Sequence, residues 1–125
     1  MSVLDASALL AYIFDEPGAE AVAEVIDTAS MSSVNFSEVL TRIVRDGRPS
    51  LSFAARIKQT NLQIVPFTAE DALFAANLEP ATRPFGLSLG DRACLSLGLV
   101  REQPVYTADR IWGRLDVGVH INLIR

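Results

Sequence analysis

Short apolar runs alternate with amphipathic stretches along the whole chain. Five runs bounded by polar or turn-forming residues predict strands: Ser2–Asp5, Ser30–Val34, Gln63–Phe67, Pro104–Thr107 and Val117–Ile124. Between them, apolar positions recur at the spacing of a helix face, which predicts helices over Ser7–Phe14, Pro17–Ala29, Asn35–Arg45, Ser50–Asn61, Thr68–Glu79 and Ser88–Val100. One or two helical turns are predicted over Asp109–Leu115, and a loop over Pro80–Gly86.

This alternation of strands and helices predicts the fold class. Short connections between the elements favour a three-layer α/β/α fold with a central parallel sheet of about five strands. The length of 125 residues is typical of one domain, so residues 1–125 are predicted to form a single domain. Ligands of such sheets bind in the crevice outside the carboxyl ends of the strands. The side chains expected at that edge are therefore the candidates for function.

Four carboxylates stand at predicted helix starts. Asp5 ends the first strand, and Asp109 follows the fourth. Glu38 lies three residues after Asn35, and Asp91 lies three residues after Ser88. Each has an ordinary explanation, because Asp5 and Asp109 are good N-caps and the two spaced pairs fit capping boxes.

Together, the four acids predict a binding site for a hard cation. Two like charges about 4 Å apart repel by about 4 kcal/mol at an effective dielectric constant near 20. Helix dipoles offset only about 0.3–1 kcal/mol per group, so such a cluster requires protonation or a divalent cation. Oxygen ligands alone favour Mg²⁺ or Mn²⁺ over zinc. The chemistry indicated is phosphodiester hydrolysis, in which the metal polarises phosphoryl oxygens and orients hydroxide.

Four sequence blocks carry a family resemblance. They are Val3–Leu10, Val34–Val39, Leu87–Cys94 and Thr107–Trp112. In order and spacing they resemble the signature blocks of the PIN-domain family, and most of all the small VapC-type toxins of bacterial type II toxin–antitoxin systems. The resemblance extends over essentially the whole chain.

The resemblance implies a Mg²⁺- or Mn²⁺-dependent endoribonuclease. Asp5 and Asp91 would be the most constant metal ligands of its catalytic site, and Glu38 and Asp109 would complete it. The family positions that orient the carboxylates or the scissile phosphate correspond to Ser7, Asn35 and Thr107. The resemblance also implies an RNA substrate such as tRNA or ribosomal RNA, a homodimer, and inhibition by a small antitoxin protein.

The distribution of charge and the single cysteine and histidine limit the possible functions further. The net charge is −4, yet residues 1–41 hold seven acidic residues and no Lys or Arg, whereas residues 42–125 hold eleven basic and eight acidic residues. Arg110, next to a site acid, is a candidate for contact with RNA phosphate, and Glu38 and Arg42 have the spacing of a helical ion pair. The single cysteine excludes an internal disulfide, and the single histidine excludes sites that need two histidines. No apolar run is long enough for a membrane span, so we expect a cytoplasmic protein without a membrane partner.

Two other readings remain open. Gly86–Gly90 is a literal G-x-S-x-G around Ser88, and His120 follows in the chain order of a serine hydrolase. The preceding stretch is a poor strand, which counts against a nucleophile elbow, and His120 is expected on the final strand. A catalytically silent PIN-like module that binds RNA or protein is the non-enzymatic alternative.

Overall fold

The chain folds around one parallel sheet of five strands. In the computed structural model, which describes residues 1–125, the strands are β1 Ser2–Leu4, β2 Ala29–Ser32, β3 Gln63–Val65, β4 Val105–Thr107 and β5 Ile121–Leu123. Their order is β3-β2-β1-β4-β5, and every neighbouring pair is parallel. The predicted α/β fold class with a five-stranded parallel sheet is confirmed.

Helices cover both faces of this sheet. They are α1 Ala6–Ile13, α2 Ala19–Ala23, α3 Ser33–Arg45, α4 Ser50–Gln59, α5 Ala69–Asn77, α6 Glu79–Thr82 and α7 Leu89–Arg101. Side chains alternate between the two faces along a strand, so Leu4 and Val3 enter different cores. Leu4 packs in the core formed with α1 to α4, whereas Val3 packs with Leu95 of α7 and with Trp112. Two cores on opposite faces give the three-layer arrangement.

The predicted helix Pro17–Ala29 is wrong in its second half. Helix α2 ends at Ala23, a 3₁₀ turn covers Ile26–Thr28, and Ala29 begins β2. The β-branched pair Val25 and Ile26 has low helix propensity. Ala29 also pairs in register with Ser2 of β1. A residue that the periodicity had assigned to the helix is therefore part of the sheet.

The boundary between β2 and α3 also differs from the prediction. The strand was expected over Ser30–Val34, with the helix beginning at Asn35. Instead, the Ser32 Oγ accepts a hydrogen bond from the Val34 amide at 3.2 Å, and α3 begins at Ser33. The Asn35–Glu38 capping box is therefore wrong, because Ser32 is the N-cap of this helix.

Two further boundaries were placed incorrectly. The predicted loop Pro80–Gly86 instead contains the end of α6 and a 3₁₀ turn, Arg83–Phe85. The final strand covers only Ile121–Leu123, because only these residues pair with β4. His120 therefore lies just before the strand, where its Nε2 is 3.1 Å from the Asn122 Oδ1.

The sheet topology points to one crevice. Strands β2 and β3 lie on one side of β1, and β4 and β5 lie on the other. The connections after β1 and after β4 therefore leave the sheet in different directions, which makes the carboxyl ends of these two strands a topological switch point. None of the helices is both long and apolar enough to cross a membrane.

Candidate active site

Asp5 lies at the switch point and is buried. It follows β1 directly and caps α1, and its Oδ1 accepts hydrogen bonds from the Ala8 amide at 2.8 Å and the Ser7 hydroxyl at 2.7 Å. Its Oδ2 accepts a hydrogen bond from the Thr107 hydroxyl at 2.6 Å. The predicted N-cap is confirmed, and both carboxylate oxygens have fixed directions.

Burial makes Asp5 an unusually weak acid. Loss of hydration is the largest cause that raises its pKa, to about 6, and the negative charge of Asp91 raises it further. Hydrogen bonds from Thr107, Ser7 and the Ala8 amide lower the pKa but do not offset burial. Ionised Asp5 is therefore held in the fold at a cost in free energy that a nearby cation would reduce.

Two hydroxyls connect the ends of β1 and β4. The oxygens of Ser7 and Thr107 are 3.3 Å apart. The Ser7 Oγ also accepts a hydrogen bond from the Ala108 amide at 2.9 Å, and the Thr107 Oγ1 accepts one from the Asp109 amide at 3.0 Å. Ser7 and Thr107 thus orient Asp5 and also fix the backbone that leads to Asp109.

Glu38 is held against the start of α7 by Asn35. The buried Asn35 donates from its Nδ2 to the Glu38 Oε1 at 2.8 Å and to the Gly90 carbonyl at 2.9 Å. A Cβ at position 90 would lie only 2.6 Å from the Glu38 Oε1, so a side chain there would displace this carboxylate. The absence of a side chain at Gly90 lets the Glu38 carboxylate lie against the first turn of α7.

Asp91 does cap its helix as predicted. Its Oδ2 accepts a hydrogen bond from the Ser88 amide at 2.9 Å, and its own amide donates to the Ser88 Oγ at 3.3 Å, which completes a capping box. The carboxylate is half-buried, and its Oδ1 has no hydrogen-bond donor within the protein. Capping and a role in the site are therefore compatible, because the cap uses one oxygen and leaves the other free.

Asp109 lies at the exposed rim. Its Oδ1 accepts a hydrogen bond from the Ile111 amide at 3.1 Å and caps the 3₁₀ turn Arg110–Arg114. Arg110 is exposed and forms no ion pair with any site acid. Arg42 pairs with Asp46 at 3.1 Å, so the predicted ion pair with Glu38 is wrong.

Cys94 shows which acids share a neighbourhood. This buried thiol has its pKa raised well above the ordinary value, first by burial and then by the negative charges of Asp5, Asp91 and Glu38. Three of the four predicted acids therefore lie near enough to this side chain of α7 to act on its charge. Asp109 is connected to them through the contact of its amide with Thr107.

The four acids do not together form a complete set of protein ligands for one metal ion. Among residues 1–125, no three His, Cys, Asp or Glu side chains lie close enough together to hold one ion between them. Mg²⁺ is usually bound through one or two carboxylates with several waters retained. The oxygen-only donor set, the free Oδ1 of Asp91 and the buried charge of Asp5 fit a cation bound in that largely hydrated way.

The serine-hydrolase reading does not fit this arrangement. A 3₁₀ turn, not a strand, precedes Ser88, whose Oγ caps α7. Ser88 lies beside Asp91 at the carboxyl edge of the sheet, whereas His120 lies before β5 at the amino edge. No Ser–His pair can form across the sheet.

From the sequence, Gly90 was noted only as part of a G-x-S-x-G motif, although its lack of a side chain leaves room for Glu38. A glycine in the first turn of a helix is costly, and it often marks a close approach of another group. That signal could have identified the position, but not the side chain that occupies the space.

Comparisons with known proteins agree with the fold. A toxin–antitoxin complex from Klebsiella pneumoniae is similar with a TM-score of 0.78 and 12% identity, covering 100% of this chain and 98% of that one. DNA-bound VapBC from Salmonella typhimurium matches with a TM-score of 0.75 and 15% identity, covering 100% of both chains. FitAcB from Neisseria gonorrhoeae matches with a TM-score of 0.73 and 16% identity, covering 99% of this chain and 98% of that one.

At these identities the structures show a shared fold. No curated protein sequence matches the chain. The family model described as PIN domain matches residues 2–118, which includes every strand except β5 and all four acids. The chain belongs to the PIN domain family.

Proposed function

We propose that this protein is a Mg²⁺- or Mn²⁺-dependent endoribonuclease and the toxin of a VapBC-like toxin–antitoxin pair. The observation that supports this most strongly is the buried carboxylate of Asp5, with a pKa raised to about 6, in one neighbourhood with Asp91 and Glu38. Asp5 also caps α1, but an N-cap needs only a side-chain oxygen, and burying a charge costs stability. A bound cation would offset that cost.

The four acids have two parts in the proposed mechanism. Asp5 and Asp91 would hold the cation, and Glu38 and Asp109 would complete the negative site around it. The cation would supply neutralisation of charge on the phosphoryl oxygens and activation of the attacking water. The products would then carry 5′-phosphate and 3′-hydroxyl ends.

The remaining site residues position these groups. Ser7 and Thr107 each donate a hydrogen bond to one oxygen of Asp5 and so keep its ionised form aimed at the crevice. Asn35 holds Glu38 by one hydrogen bond and ties it to α7 by the other. Arg110, exposed beside Asp109, would contact a phosphate of the RNA.

We further propose the partners that this activity requires. A ribonuclease that arrests translation must be restrained, and structures similar in fold are described as toxin–antitoxin complexes. The partner proposed here is a small antitoxin that blocks the approach to the acids. We propose a homodimer acting in the cytoplasm, where RNA and antitoxin would both be present.

Digestion of RNA by the purified protein tests the proposed function. We expect cleavage with Mg²⁺ and with Mn²⁺, none with a chelator, and recovery when the metal is restored. Mapping of the ends should find 5′-phosphates. Cleavage that continues in chelator would contradict a metal-dependent mechanism, and the absence of cleavage with either metal would favour the non-catalytic module.

A further inference from the structure

The helical hairpin of α3 and α4 is basic, although the chain is acidic. Residues 39–67 contain five basic residues and one acidic residue, whereas the whole chain has a net charge of −4. The one acid, Asp46, forms an ion pair with Arg42. Arg45, Arg48 and Arg56 are exposed and form no ion pair, so their charges are available to a partner.

A groove joins this hairpin to the acidic site. Its volume is about 600 Å³, and it lies between α1 and α3 with Glu38 at one end and Arg42 and Arg45 further along. From residue 38 to residue 45 the helix rises about 10 Å. Arg45, the first cation of the groove without an ion pair, therefore lies about two helical turns from Glu38.

Beyond the groove, two arginines are stacked on two aromatic rings. The guanidinium of Arg48 lies 4.8 Å from the ring centre of Phe14, and that of Arg56 lies 5.2 Å from the ring centre of Phe53. The two ring centres are 6.1 Å apart. Leu10 lines the groove, and its carbonyl accepts a hydrogen bond from the amide of Phe14, the residue that follows α1, so the stack continues the same surface.

Stacking on the rings orients the two arginines for binding anions. A guanidinium held over a ring by cation–π attraction loses little conformational freedom when its N–H groups bind a phosphate. Arg56 and Phe53 also border a second open groove, of about 490 Å³, together with Tyr12 and one acid, Asp15. Cations interleaved with aromatic side chains along a groove are typical of surfaces that bind single-stranded nucleic acid.

We infer that Arg45, Arg48 and Arg56, called here the hairpin surface, bind the single-stranded RNA that flanks the scissile phosphate. This inference rests on the proposed function in one respect, namely that the polyanion is the substrate of the acidic site. The acids repel phosphates in the absence of a cation, and the hairpin surface supplies the attraction that holds the strand beside them.

The test is RNA binding in chelator, where nothing is cut. The probe is a fluorescein-labelled single-stranded oligouridylate of about 12 nucleotides, followed by anisotropy at several salt concentrations. The triple variant Arg45→Gln, Arg48→Gln and Arg56→Gln should bind at least about 10-fold more weakly. Its logarithmic salt dependence should fall by about 2, which corresponds to three lost phosphate contacts.

A matched triple variant controls for net charge. Arg83→Gln, Arg101→Gln and Arg125→Gln remove the same charge outside the hairpin and should leave affinity and salt dependence near those of the wild type. Equal losses in both triple variants would overturn the inference, since net charge alone would then explain binding. Unchanged RNA binding in the hairpin variant would also overturn the inference. This holds even if that variant fails to bind an antitoxin, since the hairpin surface would then bind the antitoxin and not the RNA.

Binding and cleavage separate the two proposals. Hairpin-dependent RNA binding by a protein that cuts nothing would support the hairpin surface and contradict the nuclease. Cleavage by a hairpin variant that binds RNA as tightly as the charge-matched control would support the nuclease and contradict the hairpin surface.

Discussion

Replacement of Asp91 by asparagine is expected to lower RNA cleavage by roughly 100-fold or more while the protein stays folded. The carboxylate uses Oδ2 to cap α7, and an amide oxygen can still accept that hydrogen bond. The substitution removes the negative charge from the site, where it contributes to the raised pKa of Asp5. Cleavage rates under single-turnover conditions, with circular dichroism to verify the fold, give the measurement.

The chain provides a close control for this substitution. Asp71 occupies the same position in the capping box of α5 as Asp91 does in α7, with its Oδ2 accepting from the Thr68 amide at 2.8 Å. Asp71→Asn should therefore have a similar effect on stability and leave cleavage unchanged. If both variants lose cleavage equally, the loss comes from helix capping, and the catalytic assignment of Asp91 is wrong.

Asp5→Asn is expected to make the metal-free protein more stable at pH 8 while abolishing cleavage. The folded state raises the pKa of Asp5 from 3.8 to about 6, so folding favours the protonated form. The resulting stabilisation is complete below pH 3.8 and is lost as the pH rises through about 6. Above that pH, ionised Asp5 costs about 3 kcal/mol, which asparagine avoids.

Urea unfolding in chelator at pH 5 and pH 8 measures this effect. Wild type should lose stability between the two pH values relative to Asp5→Asn, because the other titrating groups are common to both proteins. The variant should gain up to about 3 kcal/mol over wild type at pH 8 and much less at pH 5. A difference between the two proteins that does not change with pH would show that Asp5 does not carry a buried charge.

The sequence placed Asp5 and Asp109 correctly because short apolar strands end in polar residues. Once the strands are parallel, the ends of β1 and β4 must meet at one edge of the sheet. The Ser88–Asp91 capping box was also predictable from the sequence, because its hydrogen bonds join residues three positions apart. Local patterns were sufficient for these features.

Long-range contacts could not be predicted from local sequence patterns. Asn35 fits a cap, but the competing cap Ser32 won, and Asn35 instead bridges Glu38 and Gly90 across 55 positions of sequence. The early end of α2 reflects the pairing of Ala29 with β1, which no helical periodicity contains. At the first place a competing local cap prevailed, and at the second the tertiary pairing of Ala29 with β1 overrode local helical preference.

Binding of Mn²⁺ by the metal-free protein tests the central claim most directly, namely that Asp5, Asp91 and their neighbours bind a hard cation together. Electron paramagnetic resonance of the free ion can compare wild type, Asp91→Asn and Asp71→Asn. We predict that wild type and Asp71→Asn bind Mn²⁺ equally and that Asp91→Asn binds it at least about 10-fold more weakly. Equal affinity in all three proteins, or no binding by wild type, would contradict the account.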